Sequence, residues 1–341
     1  MRIIILATVS FIVAMAWTPL LTYFLYKYKL GKKIRASDSA PIMSALHAKK
    51  SGTPTMGGLL VWVTVLILSS VFLLVETMYP DSELSSLNFL TRAQTLLPLG
   101  ALVASACVGL LDDWLNIKLI GPNGGGMSII NRICIYATIA TVGAWWFWVK
   151  LDWDVFHIPF VGDFSVGGWY MLIFIIIIVA TAFSVNETDG LDGLAGGVLL
   201  SSFGAYAAIA FFQERYDLAA FCAVISGALL AFLWFNINPA RFFLGDTGAM
   251  GLGITLGIVA MLTGQALLLP VIGSILVLES FSVIVQRFSK KIIGRKVFIS
   301  TPIHHHFEAI GWPEPKIVMR AWVIAGVSAV LGIALALLDM R

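Results

Sequence analysis

Long apolar runs recur down the whole chain and constrain its fold more than any other feature. Ten can be drawn, near 3–26, 56–75, 94–111, 129–149, 168–185, 194–212, 218–235, 247–268, 270–288 and 318–338. A helix that crosses a bilayer needs roughly 20 apolar residues, and each run is close to that length. Only 12% of the residues are charged while 59% are hydrophobic, about half the charge of an ordinary soluble domain. The chain therefore reads as an all-α integral membrane protein of about ten transmembrane helices, a single polytopic domain over 1–341. The eighth and ninth runs part only around Pro270, but 247–288 is too long for one span. The first run lacks a small-residue cleavage site and is expected to remain as the first span. No internal repeat supports the inverted-repeat plan of many transporters.

Lysines and arginines orient the spans, because short cytoplasmic loops retain positive charge. Of the 22 basic residues, 17 fall in the odd-numbered loops. Arg2, Arg92, Lys150, Arg215 and Arg341 fall on the other side. This asymmetry places the odd loops in the cytoplasm and both termini in the periplasm. The outer segment 155–166 alternates around Gly162-Asp163 and predicts a short periplasmic β-hairpin, with His157 in a structural role. Cys107, Cys134 and Cys222 each sit in an apolar run without metal-ligand spacing and are expected to be buried free thiols. The net charge of +3 singles out no partner by itself, and no nucleic-acid partner is expected.

The polar motifs all fall in the odd loops. Asp112-Asp113 ends the third run, and adjacent carboxylates there need a cation nearby. A glycine-rich stretch, Gly121 to Gly126, follows and could admit a ligand. Between the fifth and sixth runs stands Asn186-Glu-Thr-Asp189-Gly-Leu-Asp192, whose spacing puts three oxygen-bearing side chains on one face if the segment is helical. Asn236 and Asn238 precede Arg241-Phe-Phe243-Leu-Gly-Asp246, with Asp246 at the start of the eighth run, where a carboxylate also suits a helix N-terminus. The last loop carries His304-His305-His306 and Glu308; these consecutive histidines lack the spacing and thiol companions of a zinc site, and contact with phosphate or sugar suits them better. The first loop offers Lys49, Lys50 and Thr55 beside Gly57-Gly58, an anion-holding composition without the Gly-Lys-Ser/Thr order of a Walker loop. Hard oxygen groups of this kind suit Mg²⁺ bridging carboxylates and substrate phosphates. Together with the membrane setting they point to transfer of a phosphorylated group onto a lipid.

Five segments carry a resemblance to a known family: GTPTMGG at 52–58, LLDDW at 110–114, NETDGLDGLAGG at 186–197, NINPARFFLGDTGAMGLG at 236–253 and TPIHHHFE at 301–308. In this order, and over nearly the whole chain, they resemble the phospho-N-acetylmuramoyl-pentapeptide transferases. These belong to the polyprenyl-phosphate N-acetylhexosamine-1-phosphate transferase superfamily. The resemblance implies ten transmembrane helices in a bacterial inner membrane, both termini periplasmic, and a cytoplasmic active-site cleft. It implies transfer of phospho-MurNAc-pentapeptide from UDP-MurNAc-pentapeptide to undecaprenyl phosphate, giving lipid I and UMP, with Mg²⁺ as cofactor and a homodimer as the assembly. Position by position it implies catalytic roles for Asp112, Asp113, Asp246 and His304, with Asp246 on the metal, Asp112 and Asp113 near it, and Asp112 activating the lipid phosphate. It places Lys50, Gly190, Leu191, Asp192, Asn236 and Phe243 at the nucleoside end. Thr55, Asn186, Asp189, Arg132, His305 and His306 fill the surrounding polar cleft.

This sequence also departs from the family's pattern. Asn116 and Arg132 stand where lysines are usual, Glu187 where an apolar residue is usual, and Ala249 where serine is common. The first two alter the positive groups expected near the diphosphate. Two other functions compete with this reading. A sister enzyme would move a different phospho-sugar to the same carrier. An anion transporter would need charged residues at mid-membrane on broken helices, of which Glu279 is the clear acidic case.

Overall fold

The computed structural model describes residues 1–31, 50, 52–122 and 125–340. Lys32, Lys33, Arg35, Lys49 and Arg341, used above for orientation, and Asn123-Gly124 of the glycine-rich stretch, lie outside the described residues. The chain runs through α1 (Arg2–Lys27), α2 (Leu59–Met78), α3 (Leu96–Lys118) and α4 (Ile129–Lys150). A hairpin of β1 (Val155–Ile158) and β2 (Gly162–Ser165) follows. Next come α5 (Trp169–Thr188), α6 (Leu194–Phe212), α7 (Tyr216–Asn236) and α8 (Gly245–Leu262). A 3₁₀ turn at Ala266–Leu268 leads into α9 (Leu269–Ile272), α10 (Ser274–Ile292), α11 (Ile303–Ala309) and α12 (Glu314–Asp339). Among the described residues, α1 to α8 and α12 are the nine helices long and apolar enough to cross a membrane unaided.

The ninth expected span is a broken one. The chain bends by 86° between Ala266–Ile272 and Ser274–Ile292, and the pair passes as one span only when taken together. The sequence parts the eighth and ninth runs around Pro270, and the interruption there runs from the end of α8, just before Gly264 at φ +69°, to the bend at Gly273. Pro270 is tolerated because it lies at the start of α9, where its missing N–H has no partner to lose. Helix α10 carries Glu279, Gln286, Arg287, Lys290 and Lys291, too many polar groups for a lipid-facing span of its own.

Helix α8 is the axis of the bundle: every residue of it is buried. Helices α3 and α5 pack most extensively on it, while α7 packs on α1 and α6. Outer helices keep apolar faces outward, and only 22% of the apolar stretch of α1 is buried, as expected of a surface that meets lipid. Small residues let the inner helices close up. A Cβ on Gly109 of α3 would stand 2.3 Å from the Asp246 carbonyl oxygen, so only glycine brings α3 that near the first turn of α8. Of the three cysteines only Cys222 is buried; Cys107 and Cys134 are exposed on the apolar flanks, so their apolar surroundings in the sequence mark a lipid-type face and not a protein core. All three are free thiols.

The hairpin pairs β1 and β2 antiparallel, from Val155 opposite Ser165 to Ile158 opposite Gly162. Its turn is Pro159 to Val161, with Phe160 at φ 64°, one step earlier than the Gly162-Asp163 expected from alternation. His157 Nδ1 lies 2.6 Å from Asp163 and Nε2 lies 2.6 Å from Asp339 Oδ2, which also accepts from Gln265 at 2.9 Å. The hairpin is thereby tied to the last residue of α12 and to the turn after α8. Arg2 and Asp217 pair at 2.8 Å between the starts of α1 and α7.

Candidate active site

The other ends of the helices carry the polar motifs, and three linked clusters form there. The first is acidic. Asp112 and Asp113 lie in the last turns of α3 and are adjacent in sequence, so their side chains leave the helix roughly 100° apart. Asp112 accepts the Met127 N–H at 2.6 Å and pairs with Arg132 Nη2 at 2.7 Å. Asp113 accepts the Thr55 hydroxyl at 3.0 Å and the Thr247 N–H at 3.0 Å. Asp246, in the first turn of α8, accepts from Asn186 Nδ2 at 2.9 Å, Arg132 Nη2 at 3.1 Å and Asn116 Nδ2 at 3.3 Å. Arg132 Nη1 donates to Asn186 Oδ1 at 3.0 Å. Arg132 therefore joins α3, α4, α5 and α8 at one point.

Asp246 does not cap its own helix. The Gly245 N–H donates to Asp189 Oδ2 at 3.2 Å, and the Thr247 N–H to Asp113. Carboxylates from α3 and from the end of α5 thus satisfy the open amides of α8, where the helix dipole also favours them. This leaves the Asp246 side chain free to face Arg132 and Asn186. The sequence puts Asn186, Asp189 and Asp192 on one helical face; the structure separates them. Helix α5 stops at Thr188, so Asn186 is helical, Asp189 is its C-cap, and Asp192 lies in the turn before α6.

The second cluster gathers the residues expected at the nucleoside end. Lys50 Nζ lies 2.7 Å from Asp192 Oδ1 and 2.5 Å from Glu314 Oε1, and sits 6.0 Å above the Phe243 ring. Asp192 Oδ2 accepts from Asn238 Nδ2 at 3.0 Å and from the Ala240 N–H at 3.1 Å. Glu314 also accepts the Asp192 N–H at 2.7 Å. Asn236 accepts the Gly193 N–H at 2.9 Å and donates to the Phe242 carbonyl at 2.8 Å. It is buried and splints the turn before α6 to the loop after α7. Leu191 is buried in the same turn.

The third cluster is the histidine loop. His304 is buried, with Nδ1 2.8 Å from Glu279 Oε2, and its backbone N–H donates to the same oxygen at 3.3 Å. Its Nε2 is buried without a hydrogen-bond partner among the described residues. A Cβ on Gly190 would stand 2.2 Å from that atom, so the glycine is what lets the ring approach the turn after α5. His305 Nδ1 lies 2.7 Å from Glu308, and His306 Nδ1 accepts the Ile299 N–H at 3.3 Å. His306 is the more exposed of the three and is turned toward the α10–α11 loop.

Sequence reasoning passed over Glu279 and Glu314 as site residues. A lone carboxylate in an apolar run is a default functional signal, and Glu279 carried it; its partner His304 is 25 positions away. Glu314 offered only an acid in a first helical turn, a common and uninformative placement.

Residues 95–264 match the model of glycosyl transferase family 4. Over 353 residues the chain is 38% identical to a phospho-N-acetylmuramoyl-pentapeptide-transferase of Chloroflexus aggregans, spanning 99% of this chain and 90% of that relative. It is 36% identical over 336 residues to a protein of the same name from Bacillus thuringiensis, spanning 97% of each.

Proposed function

The chain belongs to the phospho-N-acetylmuramoyl-pentapeptide transferase family, and from that premise we propose that it transfers phospho-MurNAc-pentapeptide from UDP-MurNAc-pentapeptide to undecaprenyl phosphate. The products are lipid I and UMP. The observation that carries the reading is the meeting of Asp112, Asp246, Arg132 and Asn186 at the same end of the bundle as the Lys50–Asp192 and His304 clusters. The protein is then a multi-pass enzyme of the bacterial inner membrane. Its site faces the cytoplasm, its termini and hairpin face the periplasm, and it works as a homodimer.

Magnesium fits the donor set. Asp112 Oδ2, Asp246 Oδ2 and Asn186 Oδ1 are hard oxygens converging on one point, the Arg132 guanidinium. Mg²⁺ typically takes one or two carboxylates and completes its shell with water and substrate phosphates. Asp246 and Asp112 would hold the ion, with Asp113 fixing the frame around them. When bound, it supplies charge neutralisation of the diphosphate and so makes UMP a better leaving group.

The chain's own residues do the rest by positioning. Asp112 is fully buried and its oxygens are turned to Met127 and Arg132, which supports cation holding over a covalent attack by its carboxylate. The reaction is then a direct displacement, with the undecaprenyl phosphate oxygen forming a bond to the sugar-linked phosphorus as the bond to UMP breaks. Asp192, Lys50 and the Phe243 ring hold the nucleoside end, with Gly190 and Leu191 shaping the turn beside it. Thr55, Asp189 and Asn236 act through the backbone and Asp113 as positioning residues. His304 is held by Glu279 with its Nε2 against Gly190, and His305 and His306 beside it are assigned to substrate contact.

The test is UMP release by purified protein in detergent, given undecaprenyl phosphate and either UDP-MurNAc-pentapeptide or UDP-GlcNAc. Release with the first alone is expected. Release with UDP-GlcNAc alone would instead mark a sister transferase, and no release with either would overturn the enzyme reading.

A further inference from the structure

Two buried carboxylates, one on α3 and one on α8, share a single guanidinium nitrogen. Arg132 Nη2 lies 2.7 Å from Asp112 Oδ2 and 3.1 Å from Asp246 Oδ2, while Nη1 holds Asn186 Oδ1 at 3.0 Å. The Asp112 side chain is 0% exposed and that of Asp246 9%, whereas Arg132 keeps 20% of its side chain open. Buried carboxylates this close are stable only with a positive charge between them. The guanidinium supplies that charge, and its planar fork matches three oxygens at once. These are also the oxygens that fit a hard divalent cation. Guanidinium and metal cannot both keep them, because two positive centres at that spacing repel.

We propose that Arg132 is the resident counter-ion of the acidic pair, and that it exchanges places with the divalent cation and turns its fork to the substrate diphosphate. The inference rests on the transferase reading above. Its backbone supports such a swing. Arg132 sits in the first turn of α4, fixed by its N–H to the Ser128 carbonyl at 3.0 Å, with the Ser128 hydroxyl accepting from Asn131 at 3.1 Å. Only the side chain has to move, and 20% of it is open. The exchange couples two ligands. Without an anion, a bound metal leaves the guanidinium unpaired. With a diphosphate present, the displaced fork gains a bidentate partner. Metal and nucleotide then raise each other's affinity by the same factor, and Arg132 carries part of that factor.

The experiment measures Mn²⁺ binding to purified, detergent-solubilised protein without nucleotide, by isothermal titration and by electron paramagnetic resonance. Arg132→Gln removes the competing charge and is expected to bind Mn²⁺ at least about tenfold more tightly than the wild type. The gain is expected to vanish in the double variant with Asp246→Asn. Arg132→Lys replaces the fork by one ammonium, which cannot span all three oxygens, and is expected to fall between. It carries the test by itself should the Gln variant fold poorly. Added UDP is expected to tighten Mn²⁺ binding more in the wild type than in Arg132→Gln. Unchanged or weaker nucleotide-free Mn²⁺ binding in both variants would overturn the proposal, as would an equal UDP effect. UMP release by the wild type is scored separately, so failure of the exchange and failure of the transferase reading give different results.

Discussion

Oε2 of Glu279 lies 2.8 Å from Nδ1 of His304 and also accepts the His304 backbone N–H. The shared oxygen fixes the ring through Nδ1 and turns Nε2 toward Gly190. Glu279 sits on α10 just past the bend at Gly273, the placement a transporter would give a mid-membrane charge. Its burial is accounted for by the histidine it orients.

Glu279→Gln is expected to lower kcat for UMP release about tenfold to a hundredfold, a typical range for disturbing an acid–base group. The KM for the nucleotide sugar should stay within about twofold of wild type, because the Lys50–Asp192 cluster is untouched. Steady-state kinetics with both substrates checks this. An unchanged kcat, or a rise in KM alone, would remove Glu279 as a positioning residue.

Gly190→Ala places a Cβ 2.2 Å from His304 Nε2, so the ring must move. Misplacing a catalytic group by an ångström costs on the order of a hundredfold in rate, and that loss is expected here. Gly204→Ala, on α6 with nothing within 4 Å of the added atom, is the control and should keep wild-type activity. Equal activity of the two variants would sink the assignment.

Asp246 and Asp113 are expected to fail differently. Asp246→Asn removes a charge that faces Arg132 and should cut activity by about a hundredfold or more with little loss of thermal stability. Asp113→Ala unpairs the buried Thr247 N–H and Thr55 hydroxyl, each a loss of about 1–3 kcal/mol. Its melting temperature should fall clearly below that of Asp246→Asn, as measured by thermal unfolding in one detergent.

At the opposite end, His157 stands between Asp163 and Asp339. Partial burial works against its charge, but the hydrogen bonds to Asp163 and Asp339 outweigh it, and its pKa is raised above the ordinary 6.5. A raised folded pKa means protonation favours the folded state. That stabilisation is fully present below about pH 6.5, the unfolded value, and fades as pH rises through the higher folded value. The melting temperature of the wild type should fall across that window, and His157→Gln should flatten the change. A wild-type profile parallel to that of the variant would rule out the clasp.

Much of the architecture was legible in the chain because hydropathy and turn chemistry are local. Nine apolar runs became the nine helices that, among the described residues, are long and apolar enough to cross a membrane, and 155–166 became a hairpin, though its turn falls at Pro159 to Val161. The ninth run reads as a span of its own, whereas its helix passes as one only together with Ala266–Ile272 across the bend at Gly273. The motifs were legible as residues but not as partners. Asn186, Asp189 and Asp192 share a period, yet each serves a different neighbour once α5 stops at Thr188.

By itself, then, the sequence determined the apolar segments and the residue types gathered in its odd loops, since both follow from short stretches of chain. Only the tertiary structure decided who meets whom. Asp112 and Asp113 are neighbours, yet one turns to Arg132 and the other to the amide at the start of α8. Arg132 reaches Asp246 across 114 positions, and Glu279 reaches His304 across 25. The physical reason is burial: a carboxylate taken out of water must find a cation or a donor, and which one it finds depends on the helix packed against it.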